Sequence, residues 1–191
     1  MTSPAITWQR LRSGDPSPYD HVPAALFRCA DACLSTETVF GRTTPPLIEI
    51  STWGLGFDAG VLASVEYAVD TIGVPLVIVL GHDDCPAMRA TLKAWDSVEL
   101  PCGAMRSTVE QALMAIVRRA TPTHSVESLT AAHVVETGLG LMHRSPRLSQ
   151  LVDDRKYGIV CATYCANDGQ LHVHGTIGAV DDHSTSLLER V

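Results

Sequence analysis

The stretch CADAC places Cys29, Asp31 and Cys33 at the end of one apolar run, and GHDDC places His82 and Cys85 at the end of another. Two thiolates and an imidazole suit zinc, a tetrahedral, borderline-soft ion. Cys29, His82 and Cys85 are the expected ligands. Three protein ligands leave a fourth position for water or a substrate. His-x-x-Cys says little alone, because a single buried cysteine is more often a small core residue than a ligand. The weight comes from the two clusters ending two separate runs. A metal-free alternative uses Cys29 and Cys33 as a redox thiol pair.

These side chains meet only if a scaffold sets the two run ends side by side. Residues 22–30, 45–51, 74–81 and 156–164 read as strands. The third is apolar throughout, as a strand covered on both faces must be. Residues 170–177 alternate behind the turn signal Asn167-Asp168-Gly169 and read as an antiparallel edge strand. Residues 58–73 read as a helix with an apolar stripe and Gly73 as its C-cap. Further helices are expected at a short turn around Trp8 to Leu11, after Ser35, near Pro86, at 107–119, and at 126–142, stopping before Pro146. The alternation predicts an α/β fold: a mainly parallel four-stranded sheet flanked by helices, with the antiparallel C-terminal strand at its edge. In such sheets, sites form beyond the carboxyl ends of strands, where the connection order reverses. The proline-bearing residues 1–22 form an N-terminal arm, and residues 23–191 a single zinc-binding domain.

Of the 191 residues, 46% are apolar and 18% charged, which is a compact rather than a disordered composition. A net charge of −7 without a basic tract argues against nucleic acid and anionic membranes as partners. No apolar run is long enough to span a bilayer. The first ten residues carry no basic segment followed by an apolar one, so the expected compartment is the cytoplasm. There, six cysteines are expected as thiols or metal ligands.

The stretch GVLASVEYAVDTIGVPLVIVLGHDDC resembles the helix–strand unit of the β-class carbonic anhydrase family, a helix with S-x-E-Y-A followed by V-x-G-H-x-x-C. CADAC lies where that family carries Cys-x-Asp-Ser-Arg, and LVDDRKYGIVCATYCANDGQLHV resembles its closing strand and hairpin. The resemblance covers roughly residues 25–178. It implies a zinc lyase that converts carbon dioxide to bicarbonate reversibly through zinc-bound hydroxide. By position, Cys29, His82 and Cys85 match the zinc ligands. Asp31 matches the aspartate that either orients the nucleophile or ligates zinc itself. It also implies a homodimer or dimer of dimers, with the N-terminal arm packed on a partner.

The departures bear on activity. Cys33 replaces the motif's arginine, Ala32 its serine, and Pro86 the glycine after the second cysteine. Ser51 stands in the place of a second arginine, and Trp53 in that of an alanine. An arginine holds the aspartate off zinc through a bidentate pair, which a thiol cannot do. Three readings stay open on the zinc-bearing fold: a weakened carbonic anhydrase, an inactive homologue closed by Asp31, or a zinc hydrolase for another small linear substrate. Trp53 and Phe57 are candidates for an altered pocket wall. His172 and His174 share a strand face, for which an exposed edge is expected over a second metal site. Cys161 and Cys165 are expected as core thiols, and Asp83 and Asp84 as solvated loop acids.

Overall fold

The computed structural model describes residues 3–31, 34–42, 44–119 and 125–180. Five strands form one sheet: β1 (Ala24–Cys29), β2 (Ile48–Thr52), β3 (Leu76–His82), β4 (Gly158–Cys165) and β5 (Gln170–Gly178). Their order is β2-β1-β3-β4-β5. The first four are parallel, and β5 closes the edge antiparallel to β4. The expected architecture therefore holds. All seven residues of β3 are buried, because helices cover both of its faces.

Strand alternation divides the core into two layers. On one face, Ala25, Phe27, Val77, Val79 and Ile159 pack beneath α3 (Ala59–Tyr67), α6 (Val126–Arg144) and α7 (Pro146–Asp153). On the other, Leu26, Leu76, Ile78 and Val160 meet Trp8 and Leu11 of α1 (Pro4–Ser13) and Phe40 of α2 (Thr36–Phe40). Two further helices, α4 (Pro86–Ser97) and α5 (Met105–Arg119), lie beside the carboxyl end of the sheet.

Local chemistry explains most boundaries. Ser3 caps α1 by accepting from Ile6 N, Pro4 occupies its first turn, and Gly14 ends it at φ 64°. The helix is thus longer than the turn read around Trp8. Its Trp8 and Leu11 are each only 2% exposed, seated on strands of the same chain. The N-terminal segment therefore has apolar partners within its own chain. Asp58 caps α3 through the amides of Gly60 and Val61, and Gly73 closes the following turn at φ 79°, the C-cap that its position predicts.

One helix was not foreseen. The expectation of a helix stopping before Pro146 left 146–153 without structure, but Ser145 accepts from Leu148 N and Pro146 starts α7. A serine followed by proline is a start signal as much as a stop. No helix among the described residues is long and apolar enough to cross a membrane.

Candidate metal centre

From β1 the chain runs to β2 on one side, then returns past β1 to place β3 on the other. The connection order reverses between β1 and β3, so their carboxyl ends flank a crevice. Cys29 is the last residue of β1 and His82 the last of β3. Cys85 precedes the first turn of α4, three residues on. Pairing of Arg28 with Leu80 sets the two strand ends level.

The sulfurs of Cys29 and Cys85 and a ring nitrogen of His82 all lie within 4.8 Å of one another, and all three residues are buried. The sulfurs are 4.0 Å apart. That is twice a disulfide bond. It matches the roughly 3.8 Å separating two thiolates on one tetrahedral ion with Zn–S of about 2.3 Å. The His82 ring is oriented by its own loop: Nδ1 donates to the carbonyl of Asp83 at 2.8 Å. The proton is thereby fixed on Nδ1, and Nε2 keeps a lone pair. Buried Nε2 has no hydrogen-bond partner. A buried acceptor left unmade costs about 1–3 kcal/mol, and a cation between the sulfurs would satisfy it.

Charge points the same way. A hydrogen bond from Cys85 is the largest influence on Cys29 and, against the opposing effect of burial, holds its thiol well below the usual range. The same coupling, followed by burial, pushes Cys85 far up. Without a cation, therefore, the pair carries one negative charge. Burial pulls the His82 pKa down, but the neighbouring Cys29 sulfur outweighs it, so the pKa is raised. A bound cation would favour ionisation of both thiols beside a neutral imidazole. The buried donors fit zinc in number, spacing and softness.

The loop after β2 supports Cys29. Gly54 N donates to Cys29 Sγ at 3.2 Å, deep in the protein. Gly54 sits at φ 64° in a tight turn, where an added Cβ would lie 2.5 Å from Ala87 Cβ and 2.8 Å from Thr108 Cγ2. Only glycine brings this amide to the sulfur. Its carbonyl meets His133 Nε2 at 2.9 Å. Neither Gly54 nor His133 was singled out as a site residue from the sequence. The available signal was a histidine in the apolar stripe of a helix, between Leu129 and Thr137, with no visible partner.

Asp31 lies exposed in the turn after β1 and is not one of the clustered donors. It is close enough for its charge to raise the pKa of His82 and for its amide to favour the Cys29 thiolate. Ala32 and Cys33 fall outside the described residues. Trp53 packs against the apolar cluster that holds Cys29, Cys85, Ala87 and Met88, so it walls the centre. Phe57 does not: it lies over Gly140, with the Arg144 guanidinium 4.8 Å from its ring. Pro86 is the first residue of α4, and both it and Ser51 are exposed.

His172 and His174 line a cavity of about 240 Å³ beside His82. Each has its own partner, Asp168 at 3.1 Å and Thr163 at 2.7 Å. Among the described residues, no metal-capable group includes them. Cys161 is a buried free thiol and Cys165 a half-buried one. Asp83 accepts from Ala166 N and Asp84 pairs with Arg89, both near the surface.

Known proteins share this fold and much of this sequence. The carbonic anhydrase family pattern matches residues 24–171. A carbonic anhydrase of Mycolicibacterium smegmatis is 35% identical over 160 residues, covering 83% of this chain and 78% of that protein. Carbonic anhydrase 2 of Mycobacterium tuberculosis is 32% identical over 202 aligned positions, covering 95% and 98%. Among solved structures, the β-carbonic anhydrase CcaA superposes with a TM-score of 0.65 at 16% identity, covering 85% of this chain and 83% of that one. A Coccomyxa β-carbonic anhydrase in complex with acetazolamide gives 0.64 at 16%, covering 94% and 84%. With a matching family pattern over most of the chain, relatives above 30% identity and the same fold, this chain belongs to the β-carbonic anhydrase family.

Proposed function

We propose that this chain is a zinc enzyme that interconverts carbon dioxide and bicarbonate, slowly at neutral pH, with Cys29, His82 and Cys85 as its metal ligands. The observation that carries the reading is the bare, buried Nε2 of His82 beside two sulfurs 4.0 Å apart. The names of the curated relatives support the reaction. Zinc in such a site supplies a nucleophilic oxygen near neutral pH. The chain's own groups do the rest. Asp83 holds the imidazole in one tautomer through its carbonyl, and Gly54 supports one thiolate. Trp53 and the neighbouring apolar side chains limit water and favour a small uncharged substrate. Asp31 accepts the proton of the attacking oxygen and orients it.

That last role sets the rate. No arginine stands at position 33 to hold the carboxylate by two N–H···O bonds. Asp31 then competes for the fourth metal position, and full occupancy would make the chain a closed, inactive zinc protein. Its charge, already felt at His82, favours keeping this second reading. Stopped-flow hydration of carbon dioxide, with zinc measured in the same sample, separates the two. The expected result is weak activity that rises with pH, and a higher neutral rate in Cys33→Arg. A fully zinc-loaded protein with no turnover at any pH favours the closed site, and brisk turnover at neutral pH refutes the attenuation.

The chain is further proposed to act in the cytoplasm as a homodimer or dimer of dimers. Two fungal β-carbonic anhydrases from Sordaria macrospora with this fold are tetrameric.

A further inference from the structure

We propose that His133 is a positioning residue for the metal centre, acting on Cys29 through the Gly54 peptide. The inference rests on the reading of Cys29, His82 and Cys85 as metal ligands. Its basis is a chain of two buried hydrogen bonds running from α6 to the centre. His133 Nε2 lies 2.9 Å from the Gly54 carbonyl, and Gly54 N lies 3.2 Å from Cys29 Sγ.

The direction of each bond is fixed by chemistry. A carbonyl oxygen only accepts, so Nε2 must carry the proton and donate. An amide nitrogen only donates, so Cys29 Sγ must accept. One peptide group therefore receives at its oxygen and gives at its nitrogen, the arrangement in which hydrogen bonds polarise and strengthen one another. His133 is 2% exposed, and burial lowers its pKa, which keeps the ring neutral and the donor in place. Nδ1 has no partner among the described residues, so the ring's polar connection runs to Gly54.

The geometry also explains why a histidine is needed. Gly54 carries no side chain to fix its peptide plane, and its φ of 64° is one of several that glycine adopts readily. Gly56 N donates to Trp53 O at 3.3 Å and Thr52 Oγ1 donates to Gly56 O at 2.7 Å, which closes the loop around it. The contact that restrains the Gly54 carbonyl itself comes from His133, which is 79 residues away and anchored in α6. By setting that plane, His133 aims the amide at Cys29. A thiolate that accepts a strong hydrogen bond donates less charge to its metal, so the metal is the better electrophile.

The test uses Co2+ as the probe in the full-length chain, read by the sulfur-to-cobalt charge-transfer band and by competition with a chelator. Losing the hydrogen bond raises the energy of the thiolate lone pair. In His133→Leu the band is therefore expected to move to lower energy, and Co2+ affinity to fall about 10- to 100-fold, as for other groups that support ligands. His133→Gln places an amide N–H near the position of Nε2 and is expected to return the band toward that of the wild type. A merely structural role would alter thermal stability in both variants and leave the band where it is. If His133→Leu does not fold, nitrogen NMR of the wild type decides: protonated Nε2 and bare Nδ1 support the inference, and a proton on Nδ1 overturns it. A wild type without a thiolate–cobalt band refutes the metal site itself. A normal wild-type band left unmoved in His133→Leu refutes only the role of His133.

Discussion

Replacing Gly54 with alanine tests the centre and the fold together. Two separate costs follow from its position. At φ 64° an L-residue pays about 1–2 kcal/mol. The new methyl would also lie 2.5 Å from Ala87 Cβ and 2.8 Å from Thr108 Cγ2. Ala87 is rooted in the first turn of α4, two residues after Cys85, and cannot retreat without moving that candidate ligand. Overpacking of that kind costs about 1–3 kcal/mol more. The total is about 2–5 kcal/mol. For a chain of 191 residues each kcal/mol lowers Tm by about 2–4 °C, which gives a drop of about 4–20 °C. Gly73→Ala is the internal control, because Gly73 has φ 79° but nothing within 4 Å of an added Cβ. It carries only the conformational cost. Calorimetry of both variants, metal-stripped and zinc-loaded, reads the difference. Gly54→Ala should also lose more of the stabilisation that zinc confers, because the shifted loop no longer donates to Cys29. Equal drops in the two variants would refute the steric reasoning, and an unchanged zinc contribution would refute the link from loop to ligand.

Zinc should be present at about one ion per chain, and Cys85→Ala should lose it; atomic absorption on dialysed protein checks both, and retention in the variant refutes the ligand set. Trp8→Ala should lower stability by about 3–5 kcal/mol, because Trp8 is 2% exposed on its own sheet. Urea titration gives that value, and light scattering of the same samples gives the mass. A loss of dimer with no loss of stability would mean that the arm serves only the partner. Acid should weaken the zinc-loaded fold below the ordinary histidine range. Burial lowers the pKa of both His133 and His174. The unfolded chain therefore takes up protons first, and stability that is intact above the unfolded pKa is lost as pH falls through the folded values. Unfolding between about pH 7.5 and about pH 5.5 should show the decline, with a shallower slope in His133→Gln; a flat profile contradicts it.

What the sequence reveals follows the range of the interactions involved. β3 is legible because burial on both faces demands an unbroken apolar run, and β5 because Asn167-Asp168-Gly169 announces the hairpin. The candidate donors are legible because Cys29 and His82 end two strands, with Cys85 three residues beyond His82, and parallel pairing of β1 with β3 makes those ends neighbours. Start and stop signals are ambiguous where one residue gives both, so Pro146 hid α7. The support for Cys29 is illegible for a different reason. It passes from α6 through the backbone of a glycine, and no side-chain pattern records which peptide a buried histidine will reach across 79 residues.

The two parts of the site are held in different ways, and this decides which of them tolerates change. The candidate metal donors sit at the ends of two buried strands and the start of a helix, within an apolar shell of Ala87, Met88 and Leu129. Their positions depend on sheet register, which exposed substitutions do not reach. Pro86 occupies a first-turn position where its missing N–H removes no helical hydrogen bond. Ser51 is exposed on the edge strand β2. Neither replaces a group that fixes Cys29, His82 or Cys85. Asp31, in contrast, is an exposed carboxylate on a turn, and its distance from the metal depends on what restrains it. On the proposed reading, an arginine at position 33 would hold Asp31 by a bidentate pair. On that reading, the cysteine at position 33 changes how the fourth metal position is shared and leaves the cluster of Cys29, His82 and Cys85 in place. Metal loading and turnover should accordingly separate: Cys33→Arg is expected to change the rate with little effect on zinc affinity, whereas His133→Leu is expected to change the affinity first.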